Sequence, residues 1–208
     1  MKYVSAIILL YLLSSQTAFS QYYQKQGTEL ELSALYLGIG GGVTNNGDLY
    51  GLGACFLLSN HWGGSISMKV NSHASKNLPS DYQSGFTILS DGNINDKLKC
   101  ITIAVLREFS PDANIRFVVE AGPSYNLLTQ PEFTPVQNPG WLSSNYDVST
   151  HNVESTVGLS MRGKAEWAFS KIVGLEIASF SNINTIQPFT GVEICLNMGF
   201  VRKKHKRG

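Results

Sequence analysis

Ser149, His151, Glu154 and Ser155 lie within seven residues of one another and carry the groups that nucleophilic catalysis uses: hydroxyl, imidazole and carboxylate. The chemistry would be acyl transfer, and it requires the base to reach the nucleophile's proton. Nearness along the chain does not create that contact. These four read as loop and rim residues, and no catalytic residue is assigned. The motifs that would announce other chemistries are missing: no G-x-S-x-G, H-E-x-x-H, P-loop or C-x-x-C occurs. His61 falls in a turn and His73 in a loop, neither with metal-ligand company. Cys55, Cys100 and Cys195 form an odd set without metal-like spacing, so each is expected to fill a strand face as a small residue. No metal or cofactor is expected.

The remaining reactive groups are charges placed with a period of two. In the stretch Glu154 to Trp167, the residues Ser155, Val157, Leu159, Met161, Gly163, Ala165 and Trp167 alternate with Glu154, Thr156, Gly158, Ser160, Arg162, Lys164 and Glu166. That alternation is a strand with one apolar and one polar face. The same reading recurs along the chain and predicts eight strands. The first covers about Thr28 to Ile39, with Leu30, Leu32, Ala34 and Tyr36 on its apolar face. The second covers Leu49 to Leu58, showing Tyr50, Leu52, Ala54, Phe56 and Leu58. The third shows Trp62, Gly64, Ile66, Met68 and Val70. In the fourth, KLKCITIAVLREF, either Ile101, Ile103 and Val105 or Cys100, Thr102, Ala104 and Leu106 could be the apolar set. The fifth shows Ile115, Phe117, Val119 and Ala121. The last shows Val192, Ile194, Leu196, Met198 and Phe200. Opposite the apolar sets fall Glu29, Glu31, Lys69, Arg116, Glu120, Glu154, Arg162, Lys164, Glu166, Glu176 and Glu193.

The connections after the second, fourth and sixth strands are short, the fourth being followed by Ser110 to Asn114. Those after the first, third, fifth and seventh are longer and polar, notably Ser72 to Asp96 and Leu128 to Asn152. Short turns at one end and long loops at the other are the layout of an eight-stranded antiparallel up-and-down transmembrane β-barrel. The aromatics decide which way the apolar face points. Trp62, Trp167 and Phe200 lie on it at the short-turn end, and Tyr36, Tyr50 and Tyr125 at the long-loop end. Two such rows match the two interfaces of a bilayer. The apolar face therefore points into lipid, and Arg116, Glu120, Arg162, Lys164 and Glu176 are expected to form an ion-pair network in the lumen. The short turn before the seventh strand sets Trp167 opposite either Val173 or Lys171, giving Glu176 a basic partner in Lys164 or Arg162. A secreted lipocalin-like cup would turn the apolar face inward; its usual Gly-x-Trp signature near the first strand is missing.

The ends agree with export. Lys2, the apolar run Val4 to Leu13 and Ala18-Phe19-Ser20 have the form of a signal peptide, with a mature start at Gln21. Without Lys2, fifteen basic and fifteen acidic residues remain, and five of the basic ones crowd into the tail Arg202 to Gly208. The expected organisation is a signal peptide over 1–20, a barrel over 21–201 and a basic tail over 202–208.

The run ITIAVLREFSPDANIRFVVEAGPSYNLL resembles the central hairpin of small Gram-negative outer-membrane β-barrel proteins, AGPSYNLL (Ala121 to Leu128) most of all. The strand–turn rhythm resembles that family over nearly the whole mature chain. The resemblance implies an all-β barrel in the cell outer membrane with variable loops and varied roles. One departure stands out: Phe200 is followed by eight more residues, whereas in many such barrels a final aromatic ends the chain and serves assembly. Some eight-strand barrels hydrolyse lipid with an outward Ser, His and acid. The leading role is structural or surface interaction, with Phe133, Trp141 and Tyr146 displayed among prolines as contact groups. An envelope lipid-modifying enzyme and a pore are the alternatives, though eight strands are too narrow for porin-like flux. Expected partners are outer-membrane lipid and, through the loops, an envelope or extracellular protein or glycan. Export argues against nucleic acid, and the chain is expected to be a monomer.

Overall fold

The computed structural model describes residues 31–83, 94–109, 115–137 and 144–201. They form eight strands: β1 (Leu32–Thr44), β2 (Gly47–Leu58), β3 (Trp62–Ala74), β4 (Asn95–Phe109), β5 (Ile115–Pro135), β6 (Tyr146–Ala168), β7 (Val173–Ile183) and β8 (Phe189–Phe200). Each pairs antiparallel with its neighbour in sequence, and β1 with β8, which closes the barrel. Closure gives every strand a neighbour on both sides within the barrel wall. The expected signal peptide, the turn Ser110 to Asn114 and the basic tail lie outside the described residues.

Alternation places the apolar side chains outside. Leu37, Ile39, Leu52, Ile66, Ile103, Val105, Val157, Ile177 and Ile194 are all more than half exposed. The interior holds Glu120, Lys164, Glu166, Glu176 and Glu193. A water-soluble barrel would have the reverse arrangement. The fourth strand, ambiguous in sequence, turns Ile101, Ile103 and Val105 outward and Cys100, Thr102, Ala104 and Leu106 inward. All three cysteines are buried and unpaired.

Four expectations are corrected. Tyr36 is buried inside, and β1 turns Leu35, Leu37 and Ile39 outward instead. Both faces of β1 are apolar, and a register irregularity between Leu32 and Ala34 resets the alternation. Second, β1 runs to Thr44 and meets β2 through the two-residue turn Asn45–Asn46, rather than a longer loop. The Thr44 hydroxyl donates to the Gly47 carbonyl at 2.9 Å and accepts from the Asn46 N–H at 3.1 Å, which makes a short closure possible. Third, most of Leu128 to Asn152 is strand. The β5–β6 ladder continues to Pro135 opposite Tyr146, so a long hairpin rises at the loop end. Fourth, Trp167 pairs with Leu175, two residues beyond Val173 and four beyond Lys171, the two partners expected. The turn 169–172 is stabilised by Ser170, whose hydroxyl accepts from the N–H groups of Ile172 and Val173 at 3.2 and 3.0 Å.

Candidate functional site

The lumen is layered along the barrel axis. At the short-turn end Ala34, Tyr36, Cys55, Leu57, Leu106, Val118 and Val201 form one buried apolar cluster. At the long-loop end Leu49, Leu98, Cys100, Phe180 and Phe189 form another, with the two phenylalanine rings edge to face at 5.8 Å. Both layers arise because an eight-strand interior is just wide enough for side chains to meet across it. Charges occupy the space between.

Each inward charge is delivered by strand parity, and the ammonium of Lys164 lies at the centre. It is 2.6 Å from Glu120, 2.9 Å from Glu166 and 3.4 Å from Glu176. Arg162, two residues along β6, contacts Glu176, lies 2.6 Å from Glu193 and 3.7 Å from Glu120. Arg116 caps the network from below through Glu166 at 2.5 Å, and Lys69 caps it from above through Glu193 at 2.7 Å. Four cations thus interleave with four carboxylates among the described residues. Neutral groups complete the bonding. Tyr36 donates its hydroxyl hydrogen to Glu166 and accepts from Lys164 at 3.2 Å. Ser65 donates to Glu120 at 3.1 Å, and Asn197 to Glu176 at 3.2 Å.

Glu176 therefore meets both Arg162 and Lys164 in a register that neither expected pairing described: its cross-strand partner is Glu166, and the two cations reach it diagonally. Sequence reasoning left Tyr36, Lys69, Glu166 and Glu193 out of the network. Parity marked the last three as inward; Glu166 meets Arg116 directly across the β5–β6 ladder, whereas the contacts of Tyr36 with Glu166 and of Lys69 with Glu193 join strands distant in sequence. A cavity of about 40 Å³ remains beside the network, bounded by Gly38, Gly51 and Gly53 on one side and by Glu120, Arg162 and Glu193 on the other. It has room for a water molecule or two. Glu176, Glu193 and Cys195 bring three ligand atoms within 4.8 Å of one another. The Arg162 guanidinium contacts both carboxylates, taking the cation's place.

On the outer wall, Tyr50, Tyr125, Trp167 and Phe200 face outward and Trp62 is half-buried. The structure adds Phe56, Phe109, Phe117 and Phe169 to the short-turn row, all exposed. From Phe117 to Tyr125 is nine residues of β5, close to the roughly 9–11 that a tilted strand needs to cross a bilayer.

At the loop end, Phe133 and Tyr146 pack edge to face at 6.3 Å and both meet Tyr82 of the β3–β4 connection, at 5.7 and 6.2 Å. Trp141 lies outside the described residues. Tyr146 donates to Asp81 at 2.9 Å, which raises its hydroxyl pKa above the ordinary value. Asn145 donates to the Asp81 carbonyl and accepts from the Gln83 N–H. These aromatics join one outer connection to the other. Tyr146→Ala is expected to speed trypsin cleavage after Lys76 in the folded, detergent-solubilised protein; an unchanged rate would mean the contact does not hold the connection. In the serine–histidine stretch, Glu132 of β5, not Glu154, reaches His151, at 3.3 Å with both side chains exposed. Ser149 lies opposite Glu132 in the ladder, yet no described hydrogen bond joins it to His151. Among the described residues, no contact of His151 with a serine hydroxyl of the kind acyl transfer requires is seen.

No family model and no curated protein sequence matches this chain. Its structure is similar to the N-terminal β-barrel domain of Pseudomonas aeruginosa OprF, with 9% identity, TM-score 0.52, and coverage of 82% of this chain and 98% of that one. It is similar to Neisserial surface protein A, with 12% identity, TM-score 0.52, and coverage of 82% and 99%. At such identities the likeness is one of fold: a closed, all-antiparallel eight-stranded barrel of the small outer-membrane type.

Proposed function

We propose that this chain is an integral outer-membrane protein whose lumen is closed by its own side chains and whose long-loop end serves a structural or surface-interaction role. One observation carries the reading: the distribution of polarity is inverted. A continuous apolar wall faces outward while the carboxylates and ammonium groups lie inside. Soluble monomers rarely expose contiguous apolar patches beyond a few hundred Å², and an aliphatic band between aromatic rows is what lipid covers. The two apolar layers and the neutral charge layer support closure. Steady conductance in a planar bilayer would count against it.

The projecting β5–β6 hairpin and the connection joined to it form the natural contact surface for an envelope or extracellular protein or glycan. The wall itself partners outer-membrane lipid, and no catalytic role is assigned. The protein should require detergent for extraction, and unheated and boiled samples should migrate differently on gels. Recovery in the carbonate-soluble periplasmic fraction would refute membrane integration. On intact cells, proteinase should cut within 75–94 or 136–145 and spare a tag placed after Gly208; the reverse pattern would invert the topology.

A further inference from the structure

We infer that Lys97 and Lys99 form a binding site for the phosphates of a membrane lipid in the leaflet at the long-loop end. The inference rests on the lipid-facing reading of the apolar wall. In β4, Leu98 and Cys100 are buried in the lumen, so Lys97 and Lys99 between and beside them face outward. The next outward residues down the strand are Ile101, Ile103 and Val105. The two ammonium groups thus stand at the upper border of the apolar wall.

Their rows across the sheet define the surroundings. Tyr50, Val70, Lys99 and Leu127 are successive cross-strand neighbours, and Asp48, Ser72 and Lys97 form the row above. Val70 faces outward yet is only 9% exposed, flanked by Tyr50 and Lys99. An aliphatic lysine stem against apolar neighbours, with its charge directed toward the headgroups, is the usual posture at a membrane border.

Every cation of the lumen network has a carboxylate within 3 Å. Lys97 and Lys99 have none among the described residues. Asp48 lies two strands from Lys97, about 10 Å at the usual spacing. Among the described wall residues these are the outward-facing cations at this end. Two like charges two residues apart on one face repel unless an anion lies between or above them. A lipid headgroup carrying phosphate monoesters supplies that anion, and its acyl chains continue down the wall over Ile101 and Ile103. An ammonium binds phosphate oxygens as a point charge, without the fork geometry of arginine.

The test is native mass spectrometry of the full-length folded protein in dodecyl maltoside, titrated with diphosphoryl lipid A, with phosphatidylcholine and with inorganic phosphate. Each lysine near an anionic lipid surface contributes roughly a fivefold factor, so Lys97→Gln with Lys99→Gln should weaken diphosphoryl lipid A binding roughly thirtyfold. The paired Lys→Arg variant should retain binding, and Lys171→Gln in the opposite-end turn should not alter it. Equal binding by the double glutamine variant, or an equal loss in Lys171→Gln, would overturn the site. Inorganic phosphate binding as tightly as the lipid would overturn the lipid assignment. Heat-dependent gel mobility of every variant is read in parallel. Its presence with no lysine effect refutes this site alone, and its loss in the wild type refutes the membrane barrel beneath it.

Discussion

Lys164→Met is expected to destabilise the folded barrel by about 3–5 kcal/mol. The cost lies in what remains. The Lys164 side chain is 1% exposed and faces Glu120, Glu166 and Glu176 within 3.4 Å. Methionine fills similar volume but leaves three carboxylates confronting one another with Arg162 and Arg116 as the remaining cations. Glu132→Gln, at a side chain 67% exposed in the projecting hairpin, is the matched control and should lie within roughly 0.5 kcal/mol of wild type. Glu176→Gln should fall between them, since it removes one charge yet keeps one oxygen as acceptor, for Arg162 at Oε1 or for Asn197 at Oε2. Combining Lys164→Met with Glu166→Gln should recover part of the loss, because the sites share partners and cannot be additive. Urea unfolding read by the gel shift between folded and unfolded forms measures all four. Equal midpoints for Lys164→Met and Glu132→Gln would show that the lumen charges are separately hydrated.

The second large effect is expected from a single methyl group. In β5, Gly122 precedes Pro123, and the β4–β5 ladder lapses between the pairs Thr102–Ser124 and Val105–Ala121. Proline has no N–H to donate there. The strands close up at the gap: a Cβ on Gly122 would lie 2.0 Å from the Ile103 carbonyl oxygen and 2.6 Å from the Ala104 Cα. Both are backbone atoms and cannot rotate away. Gly122→Ala should therefore cost at least the upper part of the about 1–3 kcal/mol typical of overpacking. Gly163→Ala, on the outward side of β6, meets nothing nearer than the Ser179 hydroxyl at 3.9 Å. It should be neutral, or stabilising by about 0.5–1 kcal/mol through the loss of glycine's freedom. If the two alanine variants unfold alike, the close approach at Gly122 is not a constraint on the fold.

Much of the architecture was legible because the inside and the outside of the barrel impose opposite chemistries on adjacent residues. β3 shows it most cleanly, with Ile66 and Met68 outside and Ser65, Ser67 and Lys69 inside. Legibility failed where both faces are apolar. In β4 the inward residues Leu98, Cys100 and Leu106 belong to the end layers, so they look like wall residues in sequence. In β1 Tyr36 was assigned to the interface because tyrosine suits a bilayer border. Its hydroxyl instead bonds Glu166 from inside. The glycines at 38, 40 and 42 carried the missing signal: an eight-strand lumen has no room for larger groups beside Cys195 and Glu193, so the face they share with Tyr36 must be the inner one. Parity marks the charged members of the network as inward, but neither Tyr36 nor the pairing is readable that way. Diagonal contacts such as Arg162 with Glu193 join strands whose separation no local pattern encodes. The long hairpin was hidden by its prolines, which read as loop. Pro131 and Pro135 are accommodated in the part of the β5–β6 ladder that runs past the paired length of β4.

The balance of four cations against four carboxylates has a consequence for how such a chain can drift over generations. A substitution on the wall is tolerated if it stays oily, and one in the outer connections meets little resistance. Inside, a lone loss of charge strands an ion, while a coordinated exchange of two residues restores neutrality and is close to silent. Descendants of this sequence should therefore change at Lys164, Arg162, Lys69 and their carboxylate neighbours in linked steps. Sequenced variants should carry these positions as correlated sets, even where the outward-facing residues between them have been wholly rewritten.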